Sequence, residues 1–310
     1  MGQMIDGQWV TDEGIRAQKS GEFKRKLSLL RDMVSTDAGA KFPAESGRYH
    51  LYIAWNCPWA HRTVLMRALK GLQNHVSLSV AAPRRNDQGW VFDADRGYKD
   101  DLFGSKALHE VYAKGATGYT GRVTVPVLFD IKTNQIVNNE SEDIVRILNS
   151  GFGDLANKTD FYPEALQPQI DAWNERIYHS LNNGVYRAGF AESQQAYDAA
   201  VKDVFEILDR LEEQLGRTEY LTGDELTEAD IRLFPTLVRF DVGYYSAFKC
   251  DRNRLIDFPN LWSYARQIYH IPGVKDTVFF NIYRKGYNSP SPKRNIHGIV
   301  PIAPDIDWKE

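Results

Sequence analysis

The chain has 310 residues, a formal net charge of −3, 43% hydrophobic and 25% charged residues, and two cysteines. That length can bury a large core and suits two domains, and the near-neutral balance with scattered Lys and Arg offers no basic stripe for nucleic acid. No segment approaches the ~20 apolar residues that cross a bilayer, Met1 to Val10 lack the basic-then-apolar order of a signal peptide, and Cys57 and Cys250 alone make neither a disulfide framework nor a cysteine-based metal site, so a cytoplasmic, reducing setting without metal is expected.

Residues 1–47 are polar with little periodicity and read as an N-terminal extension wrapped over the body. From Tyr49 the pattern sharpens: Tyr49, Leu51 and Ile53 alternate with His50, Tyr52 and Ala54, a strand signature. After Cys57-Pro58, Ala60, Val64, Ala68 and Leu72 recur at helical spacing and Gly71 stands near the stop; Val76, Leu78 and Val80 then alternate again. This β-α-β unit implies a parallel strand pair joined by a right-handed crossover. Residues 83–120 break the pattern, are rich in Arg, Asp and Gly, and carry Trp90, Tyr98 and Tyr112, so they read as a long inserted loop, a feature often tied to function. Val123, Val125, Val127 and Phe129 alternate through Pro126, an unusual residue inside a strand. Ile136-Val137 supplies a partner strand, Asn138-Asn139 turns the chain, and Glu140-Ser141 opens a helix that Gly151 ends.

From Tyr162 the sequence reads as helices. Tyr197, Val201, Val204, Phe205, Leu208, Leu211 and Leu215 form one amphipathic stripe. Thr227 and Asp230 stand at the spacing of a reciprocal helix cap, with a structural role and no chemistry. Phe258 to Trp262 opens a further helix that ends near Pro272-Gly273. The tail from Tyr283 to Glu310 is irregular, and the apolar run Ile299-Val300-Pro301 is expected to dock.

Cys57, in Trp55-Asn56-Cys57-Pro58-Trp59-Ala60-His61-Arg62, carries the chemistry. Pro favours the first helical position, which places the sulfur before unpaired amides and the positive end of the helix dipole, a setting in which thiols ionise more readily. The fourth position is Ala60, so no second thiol resolves a disulfide internally. A small, inert, buried thiol is the competing reading, and the Cys-Pro pair alone does not choose between them.

The ordered set Cys57-Pro58-Trp59-Ala60-His61-Arg62, Thr124-Val125-Pro126-Val127-Leu128, Ile136-Val137-Asn138-Asn139-Glu140-Ser141 and Ile299-Val300-Pro301 resembles the glutathione transferases, and within them the glutathionyl-hydroquinone reductases or xi class, over nearly the whole chain. The resemblance implies the glutathione transferase fold: an α/β thioredoxin-like domain, residues 48–154 with the inserted loop 83–120, followed by an all-α domain, residues 155–310, with N- and C-terminal extensions. It implies a cis peptide at Pro126 that exposes the Val125 backbone to the cysteinyl part of glutathione. It implies that Glu140 meets the α-ammonium and Ser141 the carboxylate of the γ-glutamyl group, that Trp90 packs on glutathione, and that Arg122 meets the glycyl carboxylate. Each has a plainer alternative: an edge-strand proline, helix capping, loop packing, a solvated charge. Tyr186 and Tyr287 look like the tyrosines of a hydroquinone site expected between the domains, though a chain with 16 tyrosines also packs many of them structurally. Gly286-Tyr287-Asn288, Pro290-Ser291 and Ile296 depart from the family's His-Tyr-Tyr run, Ser-His pair and proline, so the resemblance leaves the acceptor pocket open.

The implied reaction removes glutathione from a glutathionyl-hydroquinone through a Cys57 mixed disulfide, with glutathione as co-substrate, a homodimer as the assembly, and no resolving role for Cys250. Cys250, in the helical half beside Lys249 and Asp251, reads as an unrelated, partly exposed thiol. An omega-type thiol transferase or dehydroascorbate reductase using Cys57, and a non-catalytic interaction module, are the alternatives.

Overall fold

In the computed structural model, which describes residues 2–11, 28–302 and 306–308, the described chain divides into one compact unit of residues 2–11 and 28–159 and a second that runs on from Asp160. In the first unit, β1 (Gln3–Ile5) and β2 (Gln8–Val10) form a hairpin whose two turn residues, Asp6 and Gly7, both have positive φ, 48° and 79°. That is the geometry a two-residue hairpin turn requires, and Asp and Gly tolerate it. A short parallel pair follows, β3 (Val34–Ser35) with β4 (Phe42–Pro43).

The main sheet is built on β5 (Tyr49–Ile53). It pairs in parallel with β6 (Val76–Val80), in register from Tyr49–Val76 to Ile53–Val80, and antiparallel with β7 (Val127–Asp130), which pairs with β8 (Gln135–Asn138). The crossover from β5 to β6 is α1 (Pro58–Leu69), and the chain leaves it through Gly71 at φ 71°. Here the expected β-α-β unit is present.

One expectation for this unit changes. All five residues of β5 are buried. The covering layer is the segment expected to be a loop: residues 83–120 contain α2 (Leu108–Gly115), which buries Leu108, Val111, Tyr112 and Gly115. Tyr52 on β5 donates a hydrogen bond to Asp100 at 2.9 Å, and Phe103 meets Phe129 of β7 edge to face, with ring centroids 5.3 Å apart. Gly115 is where α2 touches the sheet, since a Cβ there would fall 2.4 Å from the Phe129 ring and 2.9 Å from Ile136. Residues 83–120 are thus part of the domain's core layer. Of the N-terminal extension, residues 12–27 lie outside the described residues. Residues 28–32 run beside β8, with Asp32 N–H donating to Val137 O and Asn139 N–H to Leu30 O, both at 3.0 Å. The unit closes with α3 (Ser141–Ser150).

The second unit is helical. It contains α4 (Gln167–Ile177), α5 (Gly184–Gly189), α6 (Gln194–Leu215), α7 (Glu228–Arg239), the single turn α8 (Tyr245–Ala247), α9 (Pro259–His270) and α10 (Phe280–Tyr287), with π-helical turns at Tyr178–Asn182 and Phe240–Tyr244. α6 buries the predicted stripe at Val204, Phe205, Leu208 and Leu211. Every residue of α7 is buried, and its start is the expected reciprocal cap: the Thr227 side chain accepts from the Asp230 backbone N–H, and the Asp230 carboxylate accepts from Thr227 N–H at 2.8 Å. The tail differs from expectation. Ile299 and Val300 are 68% and 38% exposed, so the apolar run does not dock among the described residues. Trp308 docks instead, against Trp262, Tyr269 and Phe280 with ring centroids 4.7, 5.5 and 5.1 Å away, and its carbonyl meets His270 Nε2 at 3.0 Å. A large indole gains more from burial than an aliphatic run broken by proline.

Candidate functional site

Cys57 is the N-cap of α1. Its backbone is extended (φ −82°, ψ 118°), Pro58 occupies the first helical position, and the Cys57 carbonyl accepts the first intrahelical bond from His61 N–H at 3.0 Å. The residue is 8% exposed, and its thiol points to Val125 O at 3.7 Å. The Val125–Pro126 peptide is cis, as the sequence resemblance implies. The sulfur and the backbone of Val125 are therefore immediate neighbours, and the sulfur stands at the amide end of α1.

A second strand of contacts ties this segment to α3. Tyr112 on α2 donates its hydroxyl proton to Thr124 O (3.0 Å) and accepts from Asn139 Nδ2 (3.1 Å). Burial raises the Tyr112 pKa, so the phenol stays protonated as that geometry requires. Glu140 follows Asn139 directly and caps α3, with its carboxylate accepting from Glu142 N–H at 3.5 Å. The same carboxylate accepts from Ser28 Oγ (2.8 Å), and from Ser141 Oγ (3.4 Å); Ser141 itself is buried. The helix end with its hydroxyl and carboxylate can accept a zwitterionic group, anion at the amides and cation at Glu140. The capping alternative for Glu140 is also realised in this geometry. Trp90 is buried, its carbonyl accepts from Leu108 N–H at 2.8 Å, and the Arg85 guanidinium lies 5.1 Å over its ring. Arg122 is placed by its carbonyl, which accepts from the Tyr119 hydroxyl at 3.1 Å. These contacts fix Trp90 and Arg122 locally and do not run to Cys57. Ser28 went unnoticed in the sequence and Tyr112 stood out only as an aromatic of residues 83–120, because their partners lie 112 and 27 residues away along the chain.

In the helical unit, Tyr186 on α5 and Tyr287 at the end of α10 come together, hydroxyl to hydroxyl at 3.0 Å. A third phenol, Tyr244, completes a chain: its hydroxyl lies 3.0 Å from that of Tyr287. The π-helical turn Phe240–Tyr244 aims Tyr244 at Tyr287, and Gly243 makes room, since a Cβ there would stand 2.7 Å from the Tyr287 ring. Burial pushes the pKa values of Tyr244 and Tyr287 well above the ordinary phenol range, and the neighbouring phenols add to it. Tyr244 and Tyr287 therefore stay protonated and can serve as hydrogen-bond donors. Below it, the fully buried Arg239 lies 3.8 Å from the Tyr283 ring centroid and donates to Pro235 O at 2.8 Å. Nothing in the sequence singles out Tyr244 among 16 tyrosines.

Cys250, expected to be a partly exposed thiol, is wholly buried, with Sγ 3.9 Å from Phe248 O. Burial, helped by Asp251, pushes its pKa up to about 12. Among the described residues, no group of three or more His, Cys, Asp or Glu side chains gathers as metal ligands, and no helix is long and apolar enough to cross a membrane.

Residues 56–150 match the family model of the glutathione S-transferase N-terminal domain, and residues 194–267 that of the C-terminal domain. The chain is 46% identical to the glutathionyl-hydroquinone reductase YqjG of Escherichia coli (strain K12), an alignment covering 100% of this chain and 97% of the relative. Among solved structures, a xi-class glutathione transferase from Natrialba magadii superposes with a TM-score of 0.92 at 41% identity, covering 100% of this chain and 95% of that one. The glutathione-bound structure of YqjG from Escherichia coli K-12 gives a TM-score of 0.88 at 47% identity, covering 91% of this chain and 94% of that one.

Proposed function

The chain belongs to the glutathionyl-hydroquinone reductases, the xi class of the glutathione transferases, and on that premise we propose that it removes glutathione from glutathionyl-hydroquinones through a mixed disulfide on Cys57. The observation that carries the reading is the sulfur at the N-cap of α1, 3.7 Å from the carbonyl of Val125 beside the cis Pro126.

The Val125 backbone pairs with the cysteinyl part of glutathione. Glu140 takes the α-ammonium, Ser141 and the amides of α3 the γ-glutamyl carboxylate, Arg122 the glycyl carboxylate, and Trp90 packs on the tripeptide. The Cys57 thiolate attacks the sulfur of the conjugate, so that a sulfur–sulfur bond forms and the aryl carbon–sulfur bond breaks. The ring carbon leaves with the electron pair and takes a proton from the phenols of Tyr186 and Tyr287, which also position the ring. A second glutathione thiolate then attacks the glutathione sulfur of the mixed disulfide, releasing glutathione disulfide and returning the electron pair to Cys57. One conjugate and one glutathione yield one hydroquinone and one glutathione disulfide. With Cys250 buried at high pKa, the second glutathione is the resolving thiol. The enzyme acts as a homodimer in a reducing cytoplasm.

The test is turnover of glutathionyl-menadiol. Wild type converts it and traps glutathione on Cys57, visible by intact mass; Cys57→Ala does neither. Undiminished turnover by Cys57→Ala overturns the mechanism, and activity confined to small mixed disulfides or dehydroascorbate favours the omega-type alternative.

A further inference from the structure

The tail segment just past α10 is a built turn. Ser291 and Asn295 exchange backbone hydrogen bonds of 2.9 and 3.0 Å, and the Asn295 side chain donates to Asn288 O (2.6 Å) and Ile299 O (3.0 Å). Lys293 fastens the turn to Glu192 at 2.5 Å, and Gly298, at φ 64°, lies so close to Pro290 that a Cβ would fall 2.5 Å from its ring. The residue this turn presents is Arg294. Its guanidinium lies 4.3 Å from the centroid of Phe190 and 5.3 Å from that of Phe248. Both rings pack on Tyr186, with centroids 6.2 and 5.2 Å away, and Phe248 also meets Tyr244 and Tyr287, each at 5.4 Å.

Three other cations of this unit are committed to carboxylates: Lys293 to Glu192, Arg187 to Asp203, Arg252 to Asp209. Among the described residues no carboxylate pairs with Arg294. Ring faces offset part of its charge, but they leave the planar fork of N–H donors unused, and that fork matches a carboxylate in bidentate geometry. Arg294 is exposed as a residue, yet the rings displace water from its guanidinium: desolvation lowers its pKa, and the nearby Tyr186 partly restores it. A cation already stripped of part of its water has less to lose on meeting an anion.

We propose that Arg294 reads an anionic substituent, above all a carboxylate, on the aromatic ring of the substrate, so that carboxylated glutathionyl-hydroquinones are favoured over neutral ones. This rests on the tyrosine cluster being the hydroquinone site. It assigns a substrate class where the sequence departs from its family and leaves the acceptor pocket open.

The experiment compares kcat/KM for the glutathione conjugates of menadiol, whose ring carries no charge, and of gentisate, a carboxylated hydroquinone, using full-length wild type, Arg294→Met and Arg294→Lys. Wild type is expected to favour the gentisate conjugate by at least about tenfold, equivalent to ~1.4 kcal/mol. Arg294→Met abolishes that preference while menadiol-conjugate turnover stays near wild type; Arg294→Lys keeps part of it through charge alone. The same substrate ratio in wild type and Arg294→Met overturns the proposal. So does a parallel loss on both conjugates, which would assign Arg294 to pinning the tail on Phe190. A wild type inert toward both conjugates overturns the reductase reading itself.

Discussion

Tyr287 stands in the middle of a chain of three phenols, 3.0 Å from Tyr186 on one side and from Tyr244 on the other. A proton leaving Tyr287 can be replaced from either neighbour, so it is the hydroxyl whose loss interrupts the chain. Tyr287→Phe keeps the ring that packs on Tyr244 and Phe248 and removes only the donor. We expect kcat on glutathionyl-menadiol to fall about a hundredfold or more, the usual range for a lost general acid, with little change in the KM for glutathione. Cys57 in that variant should still take glutathione from glutathione disulfide at the wild-type rate, because that exchange needs no proton on carbon. A similar slowing of both reactions would count against the donor role. Cys57, Tyr186 and Tyr287 could be proposed from the sequence because each sits in a short ordered motif. Tyr244, Ser28 and Arg294 were not: a tyrosine, a serine and an arginine carry no local signature, and their positions depend on a π-helical turn, a partner 112 residues away and a turn in the tail.

Elements were legible where their ends are made by neighbours in sequence. The start of α1 follows from Cys57-Pro58, and that of α7 from Thr227 and Asp230 three residues apart. α2 was missed because its apolar face is only two turns long and its flanks are rich in loop-forming residues. Asp100 in those flanks is buried and accepts from Tyr52 and from the amides of Leu102 and Ser105. The cap of α7 likewise does more than its spacing shows. Asp230 accepts not only from Thr227 but also from Leu221 N–H at 3.0 Å and the Tyr264 hydroxyl at 2.7 Å, so one buried carboxylate ties α7 to the loop before it and to α9. Asp230→Ala leaves those two donors without an acceptor in the interior, and we expect a loss of about 3 kcal/mol or more, read as a lower denaturation midpoint at unchanged slope. Asp230→Asn, which keeps one acceptor, should fall between. A loss under about 1 kcal/mol in the alanine variant would show the cap to be an ordinary surface cap.

At the scale of the molecule, the change from a two-residue to a helical period announced a mixed half and a helical half, and the missed covering layer left one consequence hidden. Because residues 83–120 cover the sheet, His50 is buried on β5 with Nδ1 2.7 Å from Ser77 Oγ, and desolvation lowers its pKa to about 4. In the helical unit, Asp241 is the reverse case: burial outweighs its bond from Leu255 N–H and raises its pKa to about 6. The signs of the two effects oppose. His50 binds its proton less readily folded than unfolded, so its contribution is present at neutral pH and is lost as the pH falls through about 4. Asp241 binds its proton more readily folded, so its contribution is present in acid and is lost as the pH rises through about 6. Over the window between those values the two slopes offset each other. Asp241→Asn keeps the acceptor for Leu255 and removes the titration, so stability should drop more steeply on acidification than in wild type, and the variant should be at least as stable as wild type above about pH 6. His50→Gln should do the opposite, leaving stability that falls as the pH rises across the same window. Denaturant midpoints of the three proteins at about pH 4 and about pH 6 decide the matter: parallel pH dependences in all three would mean that neither group titrates where its burial places it.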